Sequence, residues 1–406
     1  MTNHPSCGMM LTEVFVEYIN NELCLGPLKK SLSVLTTDYM RPTYVYDLDF
    51  IAQRYKAMSG ALKNTRLFYA VKANPNAQVL QKLKSLGAGA DVVSLGEIKR
   101  ALESGFQPQD IVYSGVGKTK HEITEALKLG ILQINVESLP ELERIGAIAK
   151  SLNKKAAVAF RLNPDVSIQT HPYIATGLKD NKFGMELSSL PKLMACLDKF
   201  SDSLELVGVS LHLGSQMLEF SGYEEALKKL KAVFIDLQKK APGLRKFDFG
   251  GGLGIFYDRT DLELEESLLQ DYAKITLNVL GDLDCDLQSE PGRWLVGHCG
   301  VLIAQVQYIK TTSEKTFVVL DSGMNHLIRP SLYEAQHRIM TLKKQNESHT
   351  VDIVGPICES SDVFLKSVSL GQVREDDFVA ILDGGAYGYS MASVYNLHEL
   401  PNEICI

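Results

Sequence analysis

The sequence predicts an α/β protein, a (β/α)8 barrel with a second, mainly antiparallel β domain. Two observations carry this prediction. Between about residues 66 and 293, eight short apolar and β-branched runs alternate with segments of helical periodicity, which is typical of eight parallel strands closing into a barrel. From about residue 300 onward, runs rich in valine, isoleucine, phenylalanine and tyrosine are separated by polar and Gly/Pro turns, which indicates antiparallel strands.

Each barrel strand can be placed on its own apolar run. The eight predicted strands are 66–71, 88–93, 111–113, 131–136, 156–162, 206–211, 246–249 and 285–289. The intervening segments are helical, and in 140–152 apolar residues recur every three or four positions, as in a helix with one buried face. Ser138 and Glu141 predict a capping box at the start of that helix.

The chain of 406 residues is longer than one hydrophobic core usually supports, which favours two domains. We expect residues 44–298 to form the barrel and bind any cofactor, and residues 1–43 and 299–406 to form the β domain. The polar, lysine-rich segment 342–350 predicts a loop or hairpin tip. The predicted strands of the β domain are 301–309, 316–320, 351–354 and 378–382.

Bulk composition excludes several classes of function. The net charge of −7 argues against a surface for nucleic acid or an anionic membrane. No apolar run approaches the length of about 18 residues that a membrane helix needs, and residues 1–20 show no signal-peptide pattern. The seven cysteines are scattered and have no metal-ligand spacing, so we expect no metal site and a reduced, cytoplasmic protein.

Reactive side chains of such a barrel gather at the carboxyl ends of its strands. Most of the eight predicted ends carry ionisable residues or a glycine triplet, which favours an enzyme over a scaffold. In chain order the ends carry Lys72, Ser94, Ser114, Glu137, Arg161, His212, Gly250-Gly251-Gly252, and Glu290 with Arg293. Lys72 ends a buried run, and burial makes a lysine nucleophilic and suited to Schiff-base chemistry with a carbonyl compound or pyridoxal phosphate. Its alternative interpretation is a lysine that extends to solvent.

The glycine triplet follows the seventh strand, where barrels often bind phosphate through backbone amides, although a tight turn would explain it equally well. It is no dinucleotide fingerprint, because no complete GxGxxG is present. Gly117-Lys118-Thr119 is no P-loop either, since Val112 stands where the first glycine belongs.

Two further strand ends suit a flat cationic ring. Glu290 could hold a pyridine nitrogen protonated, or it could form a structural ion pair with Arg293. His212 could stack on such a ring, or it could be a core histidine whose nitrogens are satisfied by backbone groups.

Six motifs in order resemble the pyridoxal-phosphate-dependent decarboxylases of the alanine-racemase fold, and among them the diaminopimelate decarboxylase family. The resemblance covers nearly the whole chain. The motifs are Tyr69-Ala70-Val71-Lys72-Ala73-Asn74, His212-Leu213-Gly214-Ser215-Gln216, Gly250-Gly251-Gly252, Glu290-Pro291-Gly292-Arg293, Cys358-Glu359-Ser360 and Gly385-Ala386-Tyr387-Gly388-Tyr389-Ser390-Met391.

The resemblance implies pyridoxal 5'-phosphate as cofactor and assigns its ligands. They are Lys72 for the covalent link, His212 against the ring, Ser215 with Gly250, Gly251 and Gly252 near the phosphate, Glu290 at the pyridine nitrogen, and Tyr387 at the cofactor. It also implies a homodimer with shared active sites, in which Cys358 reprotonates the substrate's α-carbon in the neighbouring subunit. Without the resemblance, Cys358 would be interpreted as a buried structural cysteine.

The implied reaction is decarboxylation of meso-2,6-diaminopimelate to L-lysine and carbon dioxide, the last step of lysine biosynthesis. Arg293, Arg329 and Tyr333, with Tyr387, are then expected to bind the distal carboxylate, unless the arginines form surface ion pairs. Glu359 would bind the distal ammonium. Ornithine and lysine decarboxylases of this fold typically have aspartate there, so Glu359 favours diaminopimelate.

Two alternative functions remain at this level. One is a decarboxylase of ornithine, lysine, arginine or a D-amino acid, and the other is a non-catalytic binder of pyridoxal phosphate. The chain also departs from the family after Met391-Ala392-Ser393. It has Val394-Tyr395-Asn396-Leu397-His398-Glu399-Leu400-Pro401 where relatives usually have an arginine- and proline-rich stretch, which bears on subunit packing and substrate selection.

Overall fold

The computed structural model describes residues 15–26, 28–166, 182–258 and 261–406. Residues 1–14 of the segment assigned to the β domain lie outside them. The described residues form two compact units, a barrel unit of Lys56–Gly254 and Ser267–Gly292, and a β unit of 15–55, Ile255–Glu266 and Arg293–Ile406. The domain boundaries at residues 43/44 and 298/299 stay predictions.

The strands and helices of the described residues follow in chain order. The strands are β1 (Val16–Ile19), β2 (Glu22–Leu25), β3 (Lys30–Ser31), β4 (Thr43–Tyr46), β5 (Thr65–Ala70), β6 (Gly89–Val92), β7 (Ile111–Tyr113), β8 (Gln133–Val136), β9 (Ala156–Asn163), β10 (Met185–Glu186), β11 (Leu204–Ser210), β12 (Lys246–Asp248), β13 (Asp286–Ser289), β14 (Gly300–Thr311), β15 (Thr316–Leu320), β16 (Ile339–Thr341), β17 (Ser348–Val354), β18 (Val363–Gly371), β19 (Phe378–Ile381) and β20 (Asn402–Cys405). The helices are α1 (Leu48–Ala61), α2 (Ala77–Ser85), α3 (Leu95–Glu103), α4 (Lys120–Leu129), α5 (Leu139–Ser151), α6 (Leu190–Lys199), α7 (Tyr223–Gln238), α8 (Leu262–Leu280), α9 (Arg293–Val296) and α10 (Arg329–Tyr333).

The barrel unit contains a closed sheet of eight parallel strands, as predicted. The sheet runs β5-β6-β7-β8-β9-β11-β12-β13 and closes where β13 pairs with β5. All eight predicted strands are present, with ends that differ by one or two residues, and β10 adds a short parallel pairing beside β9. The strands are nearly continuous buried runs because the helices cover the outer face.

The predicted capping box at the start of α5 is half right. The Ser138 side chain accepts a hydrogen bond from the Glu141 N–H at 3.3 Å. The Glu141 carboxylate does not complete the box, because one oxygen accepts from the buried ammonium of Lys118 at 2.8 Å and the other from the Glu137 N–H at 2.7 Å. The Glu141 carboxylate therefore binds a buried cation and the N–H of the residue before the N-cap, and not the N–H of Ser138 itself.

The β unit is a mixed, mostly antiparallel β structure. Its longest strand, β14, pairs antiparallel with β4, β15 and β19, and parallel pairings join β15 to β17 and β20 to β4. The four predicted strands are present. The loop predicted over 342–350 is wrong at its end, because residues 348–350 are exposed residues of β17 held by pairing with β18.

A charged cluster lies buried in the β unit. The ring of His298 hydrogen-bonds Glu265 and Asp383, each at 2.6 Å, and Arg54 donates to Glu265 at 2.6 Å. Arg54 also lies over the Trp294 ring at 3.6 Å. These four charged residues come from the three sequence segments of the unit and are at most 2% exposed.

Among the described residues, none of the helices is both long and apolar enough to cross a membrane.

Candidate active site

Lys72 lies in a single 3-10 turn, Val71–Ala73, immediately after β5. Its Nζ donates a hydrogen bond to Asp91 Oδ2 at 2.7 Å, and its side chain is 37% exposed. Asp91 is fully buried on β6, the next strand of the barrel. The lysine is therefore held at the strand end by a buried carboxylate and does not extend freely into solvent.

Glu290 directly follows β13 and is buried. Its Oε1 accepts hydrogen bonds from Asn135 Nδ2 at 3.2 Å and from Ser114 Oγ at 3.3 Å. Burial, followed by the nearby Asp248 and Asp91 carboxylates, raises the pKa of Glu290 well above its usual value. A carboxylate in this position is stabilised by a hydrogen-bond donor that carries positive charge.

Asp248 at the end of β12 is fully buried, and burial raises its pKa to about 6. Its Oδ1 accepts a hydrogen bond from the Gly250 N–H at 2.8 Å, which orients the start of the glycine triplet. The sequence interpretation missed Asp91 and Asp248. Both had a signal, because each is an acid inside a short run that is otherwise apolar.

The glycine triplet is packed closely against neighbouring backbone. Gly250 and Gly252 have φ of +72° and +105°, which favours glycine. A Cβ at Gly251 would lie 2.1 Å from the Glu290 carbonyl oxygen, and one at Gly252 would lie 2.4 Å from the Gly214 carbonyl oxygen. Only glycine therefore brings these amides so close to the loop after β11.

His212 lies in that loop, and its Nδ1 accepts a hydrogen bond from the Gly251 N–H at 3.4 Å. Burial, followed by the positive charges of Arg161 and Lys72, lowers the pKa of His212 well below its usual value. The ring is therefore neutral at physiological pH. Ser215 lies three residues further along the same loop.

Arg161 and Glu137, two other predicted strand-end residues, form an ion pair with Nη1 and Oε1 2.6 Å apart. The second Glu137 oxygen accepts from the Gly184 N–H at 2.8 Å. Ser94 caps α3 by accepting from the Glu97 N–H at 3.1 Å. These three residues thus have structural partners at the barrel's strand ends.

Two buried guanidinium groups share a tyrosine in the β unit. Arg293 Nη1 donates to the Tyr257 hydroxyl at 2.6 Å and lies over the Tyr387 ring at 4.8 Å. Arg329 lies over the Tyr257 ring at 4.5 Å, with the Tyr333 ring at 6.0 Å. Four predicted residues are thus brought together. Tyr257 had no sequence signal.

Arg329 is 4% exposed, and among the described residues no carboxylate pairs with it. Its Nε donates to His337 Nε2 at 3.2 Å, and burial, followed by the charge of Arg329, lowers the pKa of His337 to about 4, so that ring is neutral. Burial, with the neighbouring Arg293, lowers the pKa of Arg329 itself. The alternative interpretation of Arg329, a surface ion pair, is therefore wrong, and the cluster carries positive charge that an anion would stabilise.

Cys358 and Glu359 lie between β17 and β18 and are both exposed, so the interpretation of Cys358 as a buried structural cysteine is wrong. The Cys358 N–H donates to Asn396 Oδ1 at 3.0 Å, and the Tyr395 hydroxyl donates to Glu359 Oε1 at 2.6 Å. In the described part of the chain, no hydrogen bond or ion pair joins this pair to the arginine cluster.

Across the described ranges, no group of three His, Cys, Asp or Glu side chains could hold a metal ion. The donor set at the barrel's strand ends is instead an amine, a neutral imidazole, glycine amides and a buried carboxyl group. These are groups that bind an aldehyde, an aromatic ring, a phosphate and a ring nitrogen.

Comparison with known proteins also indicates a protein that binds pyridoxal phosphate. The family described as "Pyridoxal-dependent decarboxylase, pyridoxal binding domain" matches residues 48–297. Diaminopimelate decarboxylase of Campylobacter jejuni is 44% identical over 373 residues, which are 91% of this chain and 91% of that protein. The Aquifex aeolicus protein of the same name is 41% identical over 393 residues, which are 97% of this chain and 92% of that protein.

Among solved structures, diaminopimelate decarboxylase from Helicobacter pylori, complexed with L-lysine, superimposes with a TM-score of 0.87 at 43% identity. The match covers 92% of this chain and 93% of that chain. Both sequence and fold therefore agree over nearly the full length, and this chain belongs to the pyridoxal-phosphate-dependent decarboxylase family, in its diaminopimelate decarboxylase branch.

Proposed function

We propose that this chain is a pyridoxal-phosphate-dependent enzyme that decarboxylates meso-2,6-diaminopimelate to L-lysine and carbon dioxide, the last step of lysine biosynthesis. The observation that carries the choice of substrate is the buried arginine cluster, above all Arg329, which has no carboxylate partner among the described residues. Diaminopimelate keeps one carboxylate after it loses the other, and such a guanidinium is suited to bind it.

The residues of the barrel unit fit pyridoxal phosphate. A Cβ on Gly251 or Gly252 would collide with backbone, so the triplet allows a bound group to approach the backbone closely, and with Ser215 it would bind the phosphate. Lys72 would hold the aldehyde end, and the neutral ring of His212 would lie against the cofactor ring. Tyr387 would complete the cofactor's surroundings.

Glu290 is the group that we assign to the pyridine nitrogen. Burial and the nearby Asp248 and Asp91 carboxylates raise its pKa, and a protonated ring nitrogen would stabilise its charged form. When bound, pyridoxal phosphate supplies an electron-withdrawing ring that stabilises the charge left on the α-carbon by loss of carbon dioxide. The chain's own groups keep that ring oriented and protonated.

Cys358 and Glu359 complete the site in our proposal. The Cys358 thiol delivers a proton to the α-carbon, and the Glu359 carboxylate binds the distal ammonium. We propose that each subunit of a homodimer supplies this pair to the other subunit, which is supported by their exposure and by the absence of a hydrogen bond to the described residues of the arginine cluster.

We also propose that residues 44–298 form the cofactor-binding barrel domain, and residues 1–43 with 299–406 the β domain. A cytoplasmic setting is supported by the free thiols of all six cysteines in the described residues. The seventh, Cys7, lies outside them.

The test is a turnover comparison on the purified holoenzyme. Carbon dioxide release is measured with meso-diaminopimelate, L-ornithine, L-lysine, L-arginine and D-amino acids, alongside the visible absorbance of the bound cofactor. We expect release from diaminopimelate alone, and loss of both absorbance and release in Lys72→Ala. A preference for ornithine would contradict the proposed substrate. A yellow protein that releases no carbon dioxide from any of these amino acids would contradict the proposal that this protein is an enzyme.

A further inference from the structure

The turn that follows the last motif of the site contacts the catalytic pair directly. Tyr395 and Asn396 are adjacent in sequence, and so are their partners, Glu359 and Cys358. Asn396 Oδ1 accepts the Cys358 backbone N–H at 3.0 Å, and the Tyr395 hydroxyl donates to Glu359 Oε1 at 2.6 Å. One contact therefore fixes a backbone and the other fixes a side chain.

The other end of the same loop is held by Asp362. Its Oδ2 accepts the Ile357 N–H at 2.7 Å and its Oδ1 accepts the Met324 N–H at 2.6 Å. The Ser361 carbonyl in addition accepts from Ser331 Oγ at 2.7 Å. The Glu359 backbone is held as well, because its N–H donates to the Ile357 carbonyl at 2.7 Å and its carbonyl accepts the Asp362 N–H at 3.1 Å. The Tyr395–Asn396 turn adds contacts to two further groups of the loop, the Cys358 N–H and the Glu359 side chain.

The turn has a conformation that needs support. Asn396 and Leu397 have φ of +54° and +59°, in the left-handed region that asparagine tolerates and leucine disfavours. The Leu397 side chain is 90% exposed, so burial does not hold it there. Such strain persists where surrounding contacts determine the backbone, and the contacts of Tyr395 and Asn396 with the catalytic loop are of that kind.

The Tyr395 hydroxyl keeps its proton and can therefore donate the hydrogen bond to Glu359. Its hydrogen bond to Glu359, and then the charge of that carboxylate, raises the pKa of Tyr395, so the phenol stays a donor at physiological pH. With Oε1 of Glu359 so occupied, the second carboxylate oxygen remains for a cation. A donor that binds one oxygen also fixes the plane of the carboxylate.

We propose that Tyr395 and Asn396 are positioning residues for the catalytic pair. Asn396 fixes the backbone from which the Cys358 thiol projects, and Tyr395 aims Glu359 at the substrate's distal ammonium. This inference rests on the roles proposed above for Cys358 and Glu359. It assigns a function to the segment 394–401, which departs from the usual arginine- and proline-rich pattern.

The test uses two variants and two matched controls. Asn396→Gly removes the acceptor but keeps a residue that tolerates positive φ, and its control is Asn64→Gly, an exposed asparagine with φ of +59°. Tyr395→Phe removes one hydroxyl, and its control is Tyr308→Phe, a tyrosine that is 65% exposed. All four are made as holoenzyme, and the melting temperature and cofactor absorbance are measured with kcat and KM.

We expect the two variants to fail differently. Tyr395→Phe raises KM for diaminopimelate about threefold to thirtyfold with kcat nearly unchanged, because it weakens binding of the ammonium. Asn396→Gly lowers kcat about tenfold with KM nearly unchanged, because it misplaces the thiol. Both controls resemble the wild type. Equal kinetics in Tyr395→Phe and Tyr308→Phe, or losses that follow the melting temperature, overturn the proposal.

Hydrogen exchange separates this inference from the proposed function. Exchange of the Cys358 amide needs no substrate, and we expect it to accelerate about tenfold or more in Asn396→Gly and to stay unchanged in Asn64→Gly. An unchanged rate in Asn396→Gly overturns the positioning role, whatever the enzyme's substrate. Failure of the wild type to release carbon dioxide from diaminopimelate contradicts the proposed function instead.

Discussion

Glu290 is costly to the stability of the folded protein when it is charged, and we propose a function for it at the cofactor. Its carboxyl group is buried beside Asp248 and Asp91, and its pKa is raised well above the usual value. A group with a raised folded-state pKa contributes its stability below the unfolded value of about 4.3 and loses it as pH rises through the folded value. The protein therefore keeps a costly acid where a cofactor nitrogen would bind.

Glu290→Gln separates these two effects. The amide still accepts from Asn135 and Ser114 but cannot ionise, so we expect the melting temperature of the cofactor-free variant to exceed that of the wild type by a margin that grows as pH rises. Carbon dioxide release by the holoenzyme should fall about a hundredfold, because the ring nitrogen loses its anion. Glu263→Gln, an exposed site, is the control. A lower melting temperature at high pH would contradict this interpretation.

Arg329 gives a prediction about substrate selection. Arg329→Met should lower kcat/KM for diaminopimelate about a hundredfold to a thousandfold, because the remaining carboxylate loses a buried charged partner. Inhibition by L-lysine, which keeps that carboxylate, should weaken by a similar factor. Inhibition by 1,5-diaminopentane, which has none, should not change.

The control for this change is Arg374→Met on an exposed arginine. Equal weakening of inhibition by L-lysine and by 1,5-diaminopentane in Arg329→Met would mean that the arginine supports the fold of the site and does not bind the carboxylate.

At the scale of the elements, the loop after β12 is packed closely against the end of β13. The Glu290 N–H and the Ser289 hydroxyl both donate to the Gly250 carbonyl, at 2.8 and 2.7 Å, so the triplet is tied to the end of β13. The amides of the triplet can move only if that strand end moves. A side chain at Gly251 therefore acts on two neighbouring strand ends.

Gly251→Ala should accordingly weaken cofactor binding and lower stability by about 1–3 kcal/mol, because its Cβ meets the Glu290 carbonyl oxygen and overpacks the loop. Cofactor release followed by absorbance, with thermal unfolding, measures both effects. Gly60→Ala is the matched control. It lies in α1 with nothing near its Cβ, and it should stabilise by about 0.5–1 kcal/mol. Unaltered cofactor affinity in Gly251→Ala would contradict the phosphate assignment.

The same scale shows what the sequence could predict. Barrel strands were predictable because burial on both faces leaves unbroken apolar runs, as in β7, where every residue is buried. Residues 348–350 were not, because an exposed strand is held by backbone pairing and carries no apolar signal. The Glu141 side chain was misassigned because its partner, Lys118, is distant in sequence.

The residues of the candidate site likewise fall into those that the sequence could predict and those that it could not. Lys72 and His212 could be predicted to lie at strand ends because each is a polar group after an apolar run, and Glu290 because it precedes the turn Pro291-Gly292-Arg293. Tyr257 could not, since its role depends on its distance from Arg293 and Arg329, and no local pattern encodes that distance.

At the scale of the whole molecule, the buried cluster of Arg54, Glu265, His298 and Asp383 holds the β unit together. Burial alone would lower the pKa of His298, but the Glu265 and Asp383 carboxylates raise this pKa to about 9. Protonation of His298 therefore stabilises the folded protein by on the order of 3 kcal/mol. This stabilisation is fully present below the unfolded-state pKa of about 6.5 and is lost as pH rises through 9.

His298→Gln should therefore lower the melting temperature near pH 6 and flatten its fall between about pH 7 and 10. Thermal unfolding across that range measures this, with exposed His121→Gln as control. An equally steep fall in the His298 variant would contradict the assignment of charge to its ring.

The proposed homodimer, in which each subunit supplies Cys358 to the other, predicts complementation between inactive subunits. Lys72→Ala and Cys358→Ala should each be inactive alone, but mixed under conditions of subunit exchange they should regain about a quarter of wild-type activity. Half of the dimers are then hybrids with one intact site. Lys72→Ala mixed with His212→Ala should regain none, because both changes lie in the barrel unit. No recovery in the first mixture would contradict the exchange of Cys358 between subunits.

The pairing of β4 with β20 also constrains how the chain is made. Residues 43–46 find their parallel partner in 402–405, about 360 positions later, so the first strand of this sheet leaves the ribosome long before the last. At about 5–20 residues per second, the nascent chain waits roughly 20–70 s before that edge can form. The barrel strands are complete by residue 289, so translation itself orders the assembly, and the pairing of β4 with β20 forms only after residues 402–405 have been made.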